Sequence, residues 1–141
     1  MSLERTTLKR AAVSMLDAVA LEHPAGHQQG KAARYILQAA SGREIEVMLE
    51  KDDASSANLW MTIEAAGALV GGSIAQDRSP ASTLFSEIGK DGMPSYGRHS
   101  GLKRMPQLAR ADLVRFVPRN LEELGRIIDQ ALAASTTASS S

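Results

Sequence analysis

The spacing of hydrophobic positions marks a helix near each end of the chain. Apolar residues recur at helical intervals from about Thr7 to Leu21, which predicts an amphipathic helix with one face on the core. A second helical stripe follows Asn120, and Glu123 stands where a capping box places an acidic residue. This stripe consists of Leu121, Leu124, Ile127, Ile128, Ala131 and Leu132. We therefore expect a C-terminal helix that Asn120 caps.

Between these helices the apolar positions alternate with a period of two, as they do in strands. This period predicts strands at residues 33–40, 44–50, 59–65 and 112–117, with a further short strand near residues 73–76. Ser41-Gly42 is a two-residue turn of the kind that joins antiparallel hairpin strands. Ser79-Pro80 predicts the start of a short helix that Gly89 closes. The chain from Gly89 to Arg110 follows no period.

The strand at residues 44–50 alternates most clearly. Its apolar residues point one way, and Glu44, Glu46 and Glu50 point the other, so we expect one buried face and one solvated face. With helices at both ends, the predicted class is α+β: an antiparallel sheet of four to five strands with the N-terminal and C-terminal helices packed on one face. Residues 1–133 are predicted to form a single domain. Residues 134–141 are only Ala, Ser and Thr, and are expected to form a disordered tail.

The predicted third strand places the only tryptophan, Trp60, on the outer face together with Thr62. An exposed tryptophan in that position is typical of a partner surface, which would suit a homodimer. Alternatively, the sheet is covered on both sides and Trp60 belongs to a second small core. The sequence leaves these two interpretations open.

Composition narrows the classes of function. The 141 residues carry sixteen basic and sixteen acidic side chains, so any attraction to nucleic acid must come from a local patch. The absence of cysteine excludes disulfides and thiolate chemistry. No apolar stretch resembles a signal sequence or a membrane span, so we expect a cytoplasmic protein without a membrane partner. Pro24 and Gly26 separate His23 from His27, so we expect no metal site there, and no motif indicates a cofactor.

The segment from Tyr96 to Arg110, called the basic segment below, has the features of a binding site. It combines glycines with cations and contains no acidic residue. The candidate ligand-binding residues are Tyr96, Gly97, Arg98, His99, Gly101, Lys103, Arg104 and Arg110. Glycines let a backbone approach a ligand, cationic side chains neutralise phosphates, and a tyrosine ring stacks on a base. An irregular connection of this length is unusual inside a compact domain and is commonly functional.

Two observations limit this hypothesis. The basic segment matches neither the GxxxxGK[ST] pattern nor the GxGxxG pattern of phosphate-binding loops. Its cations also have potential partners within the chain, because Glu44, Glu46 and Glu50 share one face of a predicted strand. If these groups pair, the segment is architecture rather than a site.

We therefore expect a binding module that takes a phosphate-bearing ligand, with nucleic acid favoured, through the basic segment. One alternative is a homo-oligomeric structural or interaction protein that uses the outer sheet face around Trp60. Another is a small-molecule enzyme that uses His99 as an acid or base, with Tyr96 and Arg98 orienting the substrate. The sequence favours binding over catalysis, because no carboxylate that could orient His99 is adjacent to it.

Overall fold

The computed structural model describes residues 4–52, 54–85, 87–88 and 92–133. In this part of the chain, α-helices lie at Arg5–Val19 (α1), Ile63–Ala66 (α2) and Leu121–Leu132 (α3). Strands lie at Leu21–Glu22 (β1), Ala32–Gln38 (β2), Glu44–Glu50 (β3), Leu59–Thr62 (β4), Gln76–Ser79 (β5), Glu87–Ile88 (β6), Pro94–Ser95 (β7) and Leu113–Phe116 (β8). Short 3-10 turns lie at Gly67–Leu69, Ala81–Thr83 and Ser100–Arg104. None of the described helices is long and apolar enough to cross a membrane.

Six of the strands form one antiparallel sheet in the order β1-β2-β3-β4-β8-β5. Strands β2, β3 and β4 follow one another along the chain, whereas β8 inserts between β4 and β5. The α+β class and the antiparallel sheet are confirmed, and the sheet has six strands where four to five were predicted. The unpredicted edge strand β1 is only two residues long, which is too short to show an alternating pattern.

The main core lies on the face of the sheet that α1 and α3 cover. It joins strand residues Tyr35, Leu37, Ile45, Val47, Leu49, Leu59, Met61, Val114 and Phe116 to helix residues Leu8, Ala12, Leu16, Leu124, Ile127 and Ile128. The alternating residues of β2 and β3 therefore face as predicted. The side chain of Asn120 caps α3, accepting a hydrogen bond from the backbone N–H of Glu123 at 2.9 Å.

The chain between β4 and β8 departs from the prediction. The third predicted strand ends early at Thr62, because the Thr62 hydroxyl accepts a hydrogen bond from the Ala65 N–H at 3.0 Å and so starts α2. The helix predicted after Ser79-Pro80 is wrong, since a 3-10 turn at Ala81–Thr83 is followed by the small hairpin of β6 and β7. The predicted end of that helix at Gly89, and the predicted tail, lie outside the described residues.

Candidate functional site

The basic segment packs across the outer face of the sheet, opposite α1 and α3. The cluster that results, called the outer core below, consists of Ala32, Met48, Trp60, Leu102, Met105, Leu108 and Leu113, with Tyr96 and Ala111 partly buried against it. The 3-10 turn at Ser100–Arg104 buries Leu102 and leaves Lys103 and Arg104 exposed. The segment is thus a packed cover with cations on its solvent side.

Trp60 faces outward as predicted, but the basic segment covers it. Its side chain is only 7% exposed, and its indole Nε1–H donates to Glu50 Oε2 at 2.7 Å. Trp60 therefore belongs to a second small core, as the second of the two interpretations has it. Thr62, its predicted companion, caps α2. A partner surface around these two residues, and a homodimer through it, stay predictions.

The expectation of a solvated glutamate face is wrong for two of the three glutamates on β3. Glu46 and Glu50 are 5% and 6% exposed, whereas Glu44 is open to solvent. Glu46 Oε2 lies 2.7 Å from His23 Nε2, and Glu46 Oε1 accepts the Gln107 backbone N–H at 2.8 Å. A buried carboxylate needs such partners to offset its lost hydration. The partners found for Glu46 are a histidine and a backbone amide, not the cations of the basic segment.

Arg98 anchors the basic segment to the sheet. Its Nε donates to Ser79 Oγ at 2.8 Å, its Nη1 to the Leu108 carbonyl at 3.1 Å, and its Nη2 to the Ala111 carbonyl at 2.6 Å. A further bond runs from Nη2 to the Ser79 carbonyl. Desolvation lowers the pKa of Arg98, although a guanidinium stays charged in proteins. Main-chain and hydroxyl oxygens thus occupy the donors of Arg98, which makes it an anchor of the segment, and its role as a ligand-binding cation stays a prediction.

Arg34 is a second anchor that the sequence analysis did not single out. It lies in β2 on the outer face, almost fully buried, where it donates to the carbonyls of Gly101 and Ala25, each at 3.1 Å, and to that of Gly26. Burial lowers the pKa of Arg34, and the nearby Arg104 cation lowers it further. No pattern reveals such an arginine, because alternation indicates the face but not what covers it.

The glycines of the basic segment allow close packing instead of a backbone approach to a ligand. A Cβ atom at Gly101 would lie 2.8 Å from Met48 Sδ, and one at Gly97 would lie 3.0 Å from the Leu84 carbonyl. The His99 ring begins the 3-10 turn, because its Nδ1 accepts the Gly101 N–H at 3.0 Å. These three predicted site residues therefore shape the segment itself.

An aromatic, basic groove opens on the solvent side of the segment. The aromatic groove, as it is called below, has a volume of about 310 Å³ and is lined by Phe85, Tyr96, Lys103, Ala109 and Arg110. The two ring centroids are 6.2 Å apart. The Lys103 ammonium lies 5.5 Å from the Tyr96 centroid, and the Arg110 guanidinium carbon lies 5.9 Å from the Phe85 centroid. Both distances fall in the range of cation–π contacts.

The two rings differ in what they offer a ligand. Phe85 is 45% exposed, and the Arg110 guanidinium lies over its ring. Tyr96 is half-buried against the outer core, and its hydroxyl donates to the Ala109 carbonyl at 2.7 Å. Desolvation raises the pKa of Tyr96. The Tyr96 hydroxyl is therefore a neutral donor that holds the segment together. What the groove offers a ligand is the surface of the two rings, not the tyrosine hydroxyl.

A second hollow adjoins the aromatic groove at Lys103. The polar hollow, as we call it, has a volume of about 320 Å³ and is lined by Gln28, Arg34, Ser100, Lys103 and Arg104. Within the described part of the chain, Lys103, Arg104 and Arg110 form no ion pair with a carboxylate within 4.0 Å. The two hollows together present cations whose charge no described carboxylate neutralises at contact distance.

His99 faces carboxylates at the start of the segment. One potential ligand atom from each of Glu50, Asp52 and His99 lies within 4.8 Å of the other two. The polar atoms of Tyr96 and Arg98, in contrast, bond to carbonyl and hydroxyl oxygens of the chain. An enzyme that uses His99 with Tyr96 and Arg98 stays a prediction.

A larger cavity of about 440 Å³ lies beside α1, lined by Thr6, Lys9, Arg10, Val13, Ser14 and Lys51. It contains cations but no aromatic ring, so it offers no surface for stacking. Binding that depends on charge alone should therefore also occur at this cavity, whereas binding that requires aromatic rings should not.

Comparison with known proteins finds no family model, no curated protein and no solved structure that significantly matches this chain. The fold and surface define a small α+β domain that carries an aromatic, basic groove.

Proposed function

We propose that this chain is a binding module for phosphate-bearing ligands, with single-stranded nucleic acid the favoured ligand, and that the aromatic groove and the polar hollow form its binding surface. The observation that carries the proposal is the placement of Lys103 and Arg110 over the rings of Tyr96 and Phe85, without a described carboxylate in contact with either cation. Such a surface combines the two interactions that non-specific single-strand binding requires.

Stacking favours a single strand over a duplex. An unpaired base exposes its ring face and can stack on Phe85, an interaction worth about 1–3 kcal/mol per base. A base in that position takes the place of Arg110 over the ring, which leaves the guanidinium to bind a flanking phosphate. A paired and stacked duplex base offers no such face.

Electrostatics sets the strength and salt dependence of binding. The chain has no net charge, so the attraction comes from the local group of Lys103, Arg104 and Arg110. If these three cations neutralise three phosphates of a single strand, log K falls against log salt with a slope of about −2. Affinity then drops about 20-fold between 50 mM and 200 mM salt.

Fluorescence anisotropy of a labelled oligothymidylate, titrated at several salt concentrations, tests this proposal. We expect Lys103→Ala and Arg110→Ala each to reduce the salt slope by about 0.7. Phe85→Leu keeps apolar bulk but removes the ring, and is expected to weaken binding about tenfold, within the range for loss of one stacked base. Arg126→Ala, which removes an exposed cation on α3, is the matched control and should change neither quantity.

Two results would contradict the proposal. One is the absence of oligonucleotide binding at low salt. The other is an equal loss of affinity in Arg126→Ala and Arg110→Ala, since that result would indicate general charge attraction without a site.

A further inference from the structure

We propose a second site, for a divalent first-row cation such as Mn²⁺ or Zn²⁺, formed by Glu50, Asp52 and His99. The three residues come from the end of β3, from the loop that follows it and from the basic segment. A histidine nitrogen combined with carboxylate oxygens suits these ions better than Mg²⁺ or Ca²⁺, which favour oxygen ligands. The site uses none of the residues that line the aromatic groove or the polar hollow.

The three residues lie close enough to share one ion, since one potential ligand atom of each lies within 4.8 Å of the other two. Glu50 is held in place by Trp60, whose Nε1–H donates to its Oε2 at 2.7 Å. The Ser55 hydroxyl lies 2.9 Å from Glu50 Oε1 and can donate either to it or to Asp52. Outer groups that orient a carboxylate in this way are typical of protein metal sites. Each carboxylate oxygen of Glu50 keeps a second lone pair for an ion.

The carboxylates of Glu50 and Asp52 lack a cationic partner within the described residues. Ser55 Oγ lies 2.9 Å from Glu50 Oε1 and 2.7 Å from Asp52 Oδ1, but a hydroxyl has only one hydrogen to donate. The ammonium of Lys9 donates to the backbone carbonyl of Asp52 and not to its carboxylate. In the described residues, no lysine or arginine pairs with either carboxylate within 4.0 Å. Two carboxylates so close together favour a bound cation.

Asn58, which lies opposite Glu50, carries a buried oxygen without a hydrogen-bond partner among the described residues. Asn58 is only 7% exposed, and its Oδ1 has no hydrogen-bond partner within the described part of the chain. The Glu50 N–H donates to the Asn58 carbonyl at 2.9 Å, which sets the two residues opposite each other across β3 and β4. Continuing the alternation of β4 puts Asn58 on the outer face with Trp60, the face that carries Glu50. A buried amide oxygen without a donor on this face of the sheet is a candidate further ligand for a cation.

The histidine must change its bonding to take part. His99 Nδ1 accepts the Gly101 N–H in this structure, so the ring coordinates an ion only by giving up that bond or a ring proton. Ion binding is therefore expected to shift the amide resonance of Gly101. This shift provides a readout at the third ligand that does not depend on the carboxylates.

Titration of the full chain with Mn²⁺ tests the site with two measurements. The electron paramagnetic resonance signal of free Mn²⁺ counts bound ions. The emission of Trp60 reports their position, because Trp60 is the only tryptophan and is hydrogen-bonded to Glu50. We expect one Mn²⁺ per chain, with a change in Trp60 emission that saturates at the same concentration. Zn²⁺ should displace the ion and shift the Gly101 amide.

Matched variants locate the ligands. Asp52→Asn keeps the size of the side chain, and His99→Ala removes the ring nitrogens; each should weaken Mn²⁺ binding at least about tenfold, the lower end of what loss of a supporting group causes in metal sites. Glu22→Gln is the control, because Glu22 forms an exposed pair with His27 at 3.8 Å. The proposal is overturned if free Mn²⁺ is not depleted, if depletion leaves Trp60 emission unchanged, or if Asp52→Asn and His99→Ala bind as well as Glu22→Gln.

Discussion

Arg98→Ala is expected to destabilise the domain and to detach the basic segment from the sheet. The guanidinium bonds to Ser79 on β5 and to carbonyls at the far end of the segment, so it holds both in one place. Truncation removes every one of these donors at once. Trp60 lies under the segment, so its fluorescence should report the detachment.

The size of the effect follows from the hydrogen bonds. Three well-formed bonds to the charged group are at 2.8, 3.1 and 2.6 Å, and a bond of this kind contributes about 1.5 kcal/mol at the lower end of its range. Arg98 is only half-buried, so water replaces part of what is lost, and we take about half of the sum, or about 2 kcal/mol. For a domain of this length that loss lowers Tm by about 6 °C.

Urea denaturation followed by far-UV circular dichroism measures this change in the free energy of unfolding, and native-state emission of Trp60 should shift to longer wavelength. Arg98→Lys keeps the charge without the planar fork and should recover less than half of the stability. Arg104→Ala, which removes an exposed cation of the same segment, should stay within about 0.5 kcal/mol of the parent. A fully stable Arg98→Ala with unchanged Trp60 emission, but with lost oligonucleotide binding, would refute the assignment of Arg98 as an anchor.

Three further predictions concern packing and charge. Gly101→Ala brings a Cβ atom to 2.8 Å from a methionine sulfur and should cost about 1–2 kcal/mol in urea unfolding; a neutral effect would contradict the close packing. Trp60→Phe removes the indole donor to the buried Glu50 carboxylate and should cost about 2 kcal/mol, measured by circular dichroism. Hydrogen bonds from Arg119 lower the pKa of Glu123, so that carboxylate stabilises the fold above the unfolded value near 4.3 and loses its effect as the pH falls through the folded value. Glu123→Gln should therefore be less stable than the parent at pH 7 and converge with it as the pH falls through the lowered pKa of Glu123 in the folded state, and a difference independent of pH would contradict this.

The parts of the fold with long, regular patterns could be predicted from the sequence. Helices α1 and α3 and strands β2 and β3 each carry an apolar row on the main-core face within an element of seven or more residues, so their periodicity is clear. Strands β1, β6 and β7 have two residues each, and no period can appear in so short a segment. Strand β8 pairs with β4 and β5, which are distant from it in the sequence. This pairing depends on tertiary packing, so a local pattern does not predict it.

The covering of the outer sheet face could not be predicted from local sequence patterns. Alternation places Glu46, Glu50 and Trp60 on that face, but it does not show that a segment from residue 96 onward covers them. Acidic residues in alternation are typical of a wet surface, and here the burial is made possible by a histidine, an indole and backbone amides as partners.

The candidate site was predicted in part. Tyr96, Lys103 and Arg110 line the aromatic groove, whereas Arg98 is an anchor. A cation that binds a ligand and one that binds a carbonyl have the same signature in a sequence, so only the structure separates them. Phe85 was missed because it precedes the β6–β7 hairpin, in a stretch predicted to be the short helix between Ser79-Pro80 and Gly89.

The most direct test of the account is to map oligonucleotide binding on the ¹⁵N-labelled chain by amide chemical shifts. The account predicts that titration with oligothymidylate shifts the amides of Phe85, Tyr96, Lys103, Ala109 and Arg110, which line the aromatic groove. The cavity beside α1 is lined by cations but by no aromatic ring, and the amide resonances of its lining residues should not shift. Shifts confined to the residues of that cavity, or no shifts at low salt, would contradict the central claim.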